Sequence, residues 1–281
     1  FNFDAAIIFS DILLVPWALD RNVTFVTGEG PKLDPMETGD EITEAMIANM
    51  LPKLTPVATA ISNCRSALTA DRALIGFAGA PWTIITYLLE GGSSRDFTTA
   101  RRWLWENDVR FDRLLDLVSQ ATADFLTLQA EAGADALMLF DSWASAVPSR
   151  LRKKVVIDPV NRITGILRDR GIETPLIGFP KGIGEGLIEY CNETELQGVG
   201  IDHGVDMRWA AATLPSHLTL QGNLDPLSLI AGGDAMTRAI DEILDATSGR
   251  PHIFNLGHGI TPETSIEHVH DLLARARGQV S

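Results

Sequence analysis

Cysteine is almost absent: Cys64 and Cys191 are the two thiols in 281 residues, far apart and without metal-ligand spacing. They offer no disulfide framework and suit a reducing cytoplasm. Basic residues are also short, 23 Lys and Arg against 37 Asp and Glu, for a net charge of −14. That argues against nucleic acid as a partner and leaves no basic stripe for a membrane surface. A few arginines can still make a positive pocket for an anionic ligand. No apolar run approaches transmembrane length, and no signal peptide is visible. No Gly-x-Gly-x-x-Gly follows a strand, so no dinucleotide or phosphate cradle is encoded. No linker or shift of composition interrupts the chain, which reads as one domain over residues 1–281. It opens at Phe1 rather than Met, almost directly inside a strand, and is expected to be a piece of something longer.

What the chain does have is an ordinary globular composition, 45% hydrophobic and 21% charged, at a length that supports one sizeable core. Its organising stretch lies near the start. Ala5 to Phe9 reads as a strand buried on both faces, ending abruptly on Ser10-Asp11. The same layout recurs downstream. Apolar runs beginning at Leu74, Ala136, Pro175, Gly198, Leu218 and His252 each end on glycine or polar residues, with helical stretches between them. The clearest helix spans Val109 to Ala132, with Phe111, Leu114, Leu115, Val118, Phe125 and Leu128 on one face and Gly133 as its stop. Val23 to Val26 followed by Gly28-Glu29-Gly30-Pro31 predicts a short extended excursion. Further helices are expected near Asp40–Leu51, Thr55–Leu68, Thr83–Glu90 and Asp96–Trp105. The last helix is expected to open on Thr261-Pro262-Glu263.

About seven βα units with polar residues gathered at the strand carboxyl ends predict a (β/α)8 TIM-type barrel lacking its first strand. A doubly wound open sheet is the alternative. Candidate site residues follow from position. Asp11 ends the first strand, where an acid is costly unless paired, and reads equally as a helix cap or a functional carboxylate. Tyr87 is a half-buried core tyrosine or a substrate contact. Asp141 and Ser142 end a strand and serve as a cap or as site residues. His258 between Gly257 and Gly259 has room for a ligand beside it. Asn223 and Asp225 shape the turn before Pro226. Asp202-His203 lacks further ligands at metal spacing.

These residues also carry a resemblance. Phe9-Ser10-Asp11-Ile12-Leu13, Gly76-Phe77-Ala78-Gly79-Ala80-Pro81-Trp82-Thr83 with Tyr87 and Glu90-Gly91-Gly92, Leu220 to Pro226, and Asn255-Leu256-Gly257-His258-Gly259 resemble the uroporphyrinogen decarboxylase family. The resemblance implies a (β/α)8 barrel, usually a homodimer, acting in the cytoplasm without metal or organic cofactor. It implies conversion of the four acetates of uroporphyrinogen III to methyls, giving coproporphyrinogen III. It assigns Asp11 to the central pyrrole nitrogens, Tyr87, Ser142 and His258 to further substrate contacts, and Phe140 to an apolar wall. The family's opening Arg-Gln-Ala-Gly-Arg segment has no counterpart here. Two rivals stand beside this reading. One is a zinc-dependent corrinoid methyltransferase of the same superfamily, which needs thiolate and imidazole at strand ends. The other is a tetrapyrrole carrier without catalysis.

Overall fold

The structure is a computed structural model and describes residues 1–26, 30–37, 41–106 and 109–279. Seven parallel strands form one sheet. They are β1 (Ala5–Ile7), β4 (Ala73–Gly79), β5 (Ala136–Asp141), β6 (Leu176–Pro180), β7 (Gly198–Gly200), β8 (Thr219–Gln221) and β9 (His252–Ile253), in that spatial order. The seven apolar runs anticipated from sequence supply these seven strands, and helices connect them. The two intervening strands, β2 (Val23–Val26) and β3 (Gly30–Leu33), pair antiparallel as a separate hairpin. The Gly28-Glu29 part of that turn, and the Asp40 end of one expected helix, lie outside the described residues.

The sheet is curled, and its two faces bury different side chains. Period-2 alternation sends Leu74, Ala78, Leu137, Leu139 and Leu176 outward into the main core with the helices. Phe77, Met138 and Ile177 form a second, inner cluster with Ile75, Phe140 and Phe179 packed on it. Register explains the grouping: Phe77 lies beside Met138, Met138 beside Ile177, and Phe140 beside Phe179. Short buried strands of this kind need both faces covered, which the helix layer supplies on the outside.

The helix Val109–Glu131 buries the predicted stripe, including Phe111, Leu114, Leu115, Val118 and Phe125. Gly133 ends it with φ +107°. Its Gln129 does a strand's work. Beyond Ile75 the first strand peels away from β4, and the Gln129 amide accepts from the Phe77 N–H at 2.9 Å and donates to the Phe77 carbonyl at 2.9 Å. Gly76 leaves the room for it, since a Cβ there would lie 2.8 Å from Gln129 Oε1.

One boundary differs from expectation. Thr261-Pro262-Glu263 is not the start of the last helix, which runs Ile266–Ala276 and is capped by Ser265 accepting from the Glu267 N–H at 3.1 Å. Serine at N-cap satisfies an orphan amide there, so the proline turn becomes a lead-in. β1 and β9 are the two edges of the sheet, and they are not paired with each other among the described residues. Beside that gap Ile7 is 46% exposed, Phe9 82% and Ile253 40%.

Candidate active site

Parallel strands all deliver their carboxyl ends to one rim, so residues distant in sequence meet there. At the end of β1 the chain turns, and Asp11 makes the turn: its Oδ1 accepts the Leu13 N–H at 2.8 Å and its carbonyl accepts the Leu14 N–H at 3.1 Å. Asp11 thus braces the helix Leu14–Ala18, while its Oδ2 has no hydrogen-bond partner among the described residues. Tyr87 comes from the helix Pro81–Glu90 after β4, which starts on a proline at its first position and is buried over Pro81 to Leu89. Burial holds the Tyr87 phenol above its ordinary pKa, the Trp143 side chain works against that, and the negative charge of Asp11 adds to it. Asp11 and Tyr87 are therefore electrostatic neighbours.

Trp143, two residues past β5, closes this side, its ring 6.4 Å from that of Tyr87 and 5.0 Å from that of Phe97. Phe140 stands edge-on to Phe77 at 5.3 Å and to Phe179 at 5.9 Å, and Phe9 lies 6.1 Å from Phe77. These rings form an aromatic floor inside the curl. Ser142 follows directly, half-buried, its hydroxyl without a hydrogen-bond partner among the described residues. It caps nothing: the short 3-10 turn Ala144–Ala146 has no side-chain cap.

Behind the floor is a buried polar brace. The Thr83 hydroxyl donates to Asp141 at 2.7 Å and accepts the Trp143 N–H at 3.2 Å, and the Trp82 indole donates to the Trp143 carbonyl at 2.9 Å. Complete burial pushes the Asp141 carboxyl up to about 7, against the Thr83 hydrogen bond that favours its ionised form.

His258 lies on the other side of the rim, exposed, beyond a further parallel contact of Leu224 with Leu256 that prolongs β8 and β9. Its neighbours are His203, with ring centroids 6.4 Å apart, and Lys181. Partial burial, then the charges of Lys181 and His203, hold the His258 imidazole below its usual pKa. The two sides of the rim join through the β5 and β6 ends, where the Lys181 N–H donates to the Asp141 carbonyl at 3.1 Å. Asp11, Tyr87 and Phe140 therefore share one wall with Ser142 beside it, while His258 belongs to a cationic group on the neighbouring arc.

Asn223 and Asp225 do shape their turn. Asn223 donates to the carbonyls of Asp202 and Val205 at 3.0 and 2.7 Å, and Asp225 caps the helix Pro226–Ala231 through the Leu227 N–H at 2.9 Å. The thiols sit elsewhere: Cys64 in the helix Leu51–Ala67, Cys191 in the helix Gly186–Glu193, where burial pushes it up to about 12. Among the described residues no group of three or more His, Cys, Asp or Glu is placed to hold a metal ion. Sequence reasoning missed Trp143 and the floor rings Phe77 and Phe179. The available signal was the recurrence of phenylalanine at inward positions near the ends of three successive strands.

The family model for uroporphyrinogen decarboxylase (URO-D) matches residues 1–279. The uroporphyrinogen decarboxylase of Maricaulis maris is 46% identical over 277 residues, covering 99% of this chain and 80% of that protein. The one from Rhizorhabdus wittichii is 45% identical over 281 residues, with 99% and 80% covered. Among solved structures, a methyltransferase from Methanosarcina mazei superposes with a TM-score of 0.83 at 16% identity, covering 99% of this chain and 81% of that one. At that identity the likeness shows the fold alone, an α/β barrel architecture. With a family match along almost every residue and relatives above 40% identity over nearly the whole chain, the conclusion is direct: this chain belongs to the uroporphyrinogen decarboxylase family.

Proposed function

We propose that this chain catalyses the decarboxylation of uroporphyrinogen III to coproporphyrinogen III, removing carbon dioxide from the four acetate side chains. The observation that carries the reading is Asp11: a carboxylate with one oxygen fixed by the Leu13 N–H and the other without a partner among the described residues, beside Tyr87 and next to an aromatic floor. Losing carbon dioxide from a pyrrole acetate leaves an electron pair that needs an acceptor. Protonation of a ring carbon makes a cationic pyrrole that takes the pair, a second protonation on the side-chain carbon delivers the methyl, and loss of the ring-carbon proton restores the pyrrole. A fixed carboxylate accepts charge-assisted hydrogen bonds from pyrrole N–H groups. It also stabilises the cation more than the neutral ground state, which is the condition for faster chemistry. The turn hydrogen bond pre-orients Asp11, so little reorganisation accompanies charge development. Phe140 walls the macrocycle, and Tyr87, Ser142 and His258 hold its polar periphery.

The protein acts, in this reading, as a single barrel domain over residues 1–281, in the cytoplasm and as a homodimer. An eighth strand completes the barrel between β1 and β9. Two unpaired edges and the exposed Ile7, Phe9 and Ile253 support it, because unsatisfied edges and apolar side chains at a barrel seam are costly to leave open. The methyltransferase rival needs thiolates at the rim, whereas Cys64 and Cys191 belong to helices of the outer layer.

The test is Asp11→Asn in the full-length protein. Turnover to coproporphyrinogen should fall by about 10²–10³, the usual cost of removing an electrostatic stabiliser, while the circular dichroism spectrum is unchanged. Near-normal turnover would remove Asp11 from the mechanism.

A further inference from the structure

Alternation along β5 divides its last residues between two faces. Met138 and Phe140 belong to the inner cluster and Leu137 and Leu139 to the outer core, so Asp141 continues the outer row and Ser142 the inner one. Asp141 is 4% exposed and faces away from the aromatic floor. On its outer side lies Tyr190 of the helix Gly186–Glu193, whose phenol is pushed up by burial and then by the Asp141 charge. A carboxyl so placed acts on the site through what it holds, not through contact with a ligand.

What Asp141 holds is the first turn of the helix Pro81–Glu90. The Thr83 hydroxyl gives its proton to Asp141 at 2.7 Å, and this orients the oxygen so that it accepts the Trp143 N–H at 3.2 Å. Two further bonds run between the same segments: the Ala80 N–H donates to the Phe140 carbonyl at 2.9 Å, and the Trp82 indole donates to the Trp143 carbonyl at 2.9 Å. Thr83 is 0% exposed, so water does not compete for its hydroxyl. Tyr87 stands four residues beyond Thr83, one turn on along the same helix face, with its ring packed 6.4 Å from that of Trp143. The end of β5, carrying Phe140 and Ser142, and the helix carrying Tyr87 are thereby one rigid piece.

We propose that Asp141 is a positioning residue for the decarboxylation: through the Thr83 hydroxyl it locks the end of β5 to the first turn of the helix Pro81–Glu90, and so fixes Ser142 and Tyr87 relative to each other. This inference rests on the decarboxylase reading for what those two hydroxyls bind. Hydroxyls on two separate elements hold a macrocycle in register over the floor only while the spacing between the elements is constant. A misplacement of about 1 Å at such a pair is enough to cost one to two orders of magnitude in rate. Burial behind the floor suits the role, because a link out of reach of solvent is not exchanged for water when substrate enters or product leaves.

The test is steady-state kinetics with uroporphyrinogen III on the full-length protein, in two backgrounds. In the wild-type background Thr83→Val, which keeps the shape and removes the hydroxyl, should lower kcat/KM about ten-fold with the far-UV circular dichroism unchanged, and Thr83→Ser should recover most of the loss. In a Tyr87→Phe/Ser142→Ala background the hydroxyls to be positioned are gone, so Thr83→Val should cost less than about two-fold, whereas a general structural injury would cost the same in both. If Thr83→Val does not fold, Thr83→Val combined with Asp141→Leu cuts the same link without leaving a buried carboxyl unpaired, and takes its place in the scheme. Normal kcat/KM in the folded variant, or an equal loss in both backgrounds, would overturn the positioning role and leave the decarboxylase reading standing. Wild type that binds uroporphyrinogen III without releasing carbon dioxide would overturn the decarboxylase reading instead. The same cycle read as Kd from tryptophan fluorescence then decides the lock: a loss confined to the background with Tyr87 and Ser142 supports it, and equal losses overturn it.

Discussion

At the scale of single residues, Asp141 makes the sharpest claim about physical chemistry. Its carboxyl is wholly buried and titrates at about 7, above the ordinary 3.8. Between those pH values the folded protein holds a proton that the unfolded chain has released, so stability falls as pH rises through that window. Asp141→Asn removes the titration while its amide oxygen can still accept from Thr83. In urea denaturation the variant should gain on wild type by about 3 kcal/mol between pH 4.5 and pH 8, from roughly 1.4 kcal/mol per pH unit. Parallel pH profiles for the two proteins would show that Asp141 is ionised throughout. Sequence could mark Asp141 and Ser142 as a strand end but could not separate them. They point to opposite faces, so one braces Thr83 from behind while the other faces the rim. Asp11 was legible as an unusual acid. Its division between turn and free oxygen was not, because an Asx turn and a ligand-facing carboxylate have the same sequence signature. In sequence His203 offers only a possible metal ligand, since its contact with His258 is made across 55 residues of chain.

Among elements, the strands were the most legible, because short apolar runs ending in glycine or polar residues repeat with helical spacers between them. What the pattern could not give was which face of each strand looks inward, since both faces are apolar. Nor could it foresee a side chain completing the sheet. The Gln129 amide replaces the hydrogen bonds that β4 loses when β1 turns away toward Asp11. Gln129→Leu should therefore leave the Phe77 N–H and carbonyl buried and unpaired, at a cost of about 1–3 kcal/mol by chemical denaturation. An unchanged midpoint would mean that water or a shifted β1 satisfies those groups. Because Phe77 is part of the floor, the variant should also weaken substrate binding. The last helix shows the opposite case: a Thr-Pro-Glu start and a Ser265 start both offer local cap chemistry, and it is Ser265 that caps the Glu267 N–H.

For the whole molecule, the problem is to bind a substrate bearing eight carboxylates with a protein of net charge −14. The distribution of charge resolves part of it. Many of the acids pair with arginine or lysine on the outer helices, as in Arg170–Asp124 and Arg275–Asp241. At the rim, Lys181 makes no ion pair among the described residues. Long-range repulsion should still slow encounter, so raising ionic strength should screen it while weakening the rim contacts. The proposed eighth strand belongs to the same scale, since it would close the seam between β1 and β9. The central claim is that this fold removes the acetates, and only the acetates, of one macrocycle. The direct measurement is carbon dioxide released per uroporphyrinogen III consumed to completion by the full-length protein under anaerobic conditions. The account predicts about four equivalents, one for each acetate on the macrocycle, with a tetracarboxylate product that is not consumed further and with Asp11→Asn far slower on the same assay. Tight binding of the macrocycle with no carbon dioxide released would contradict it.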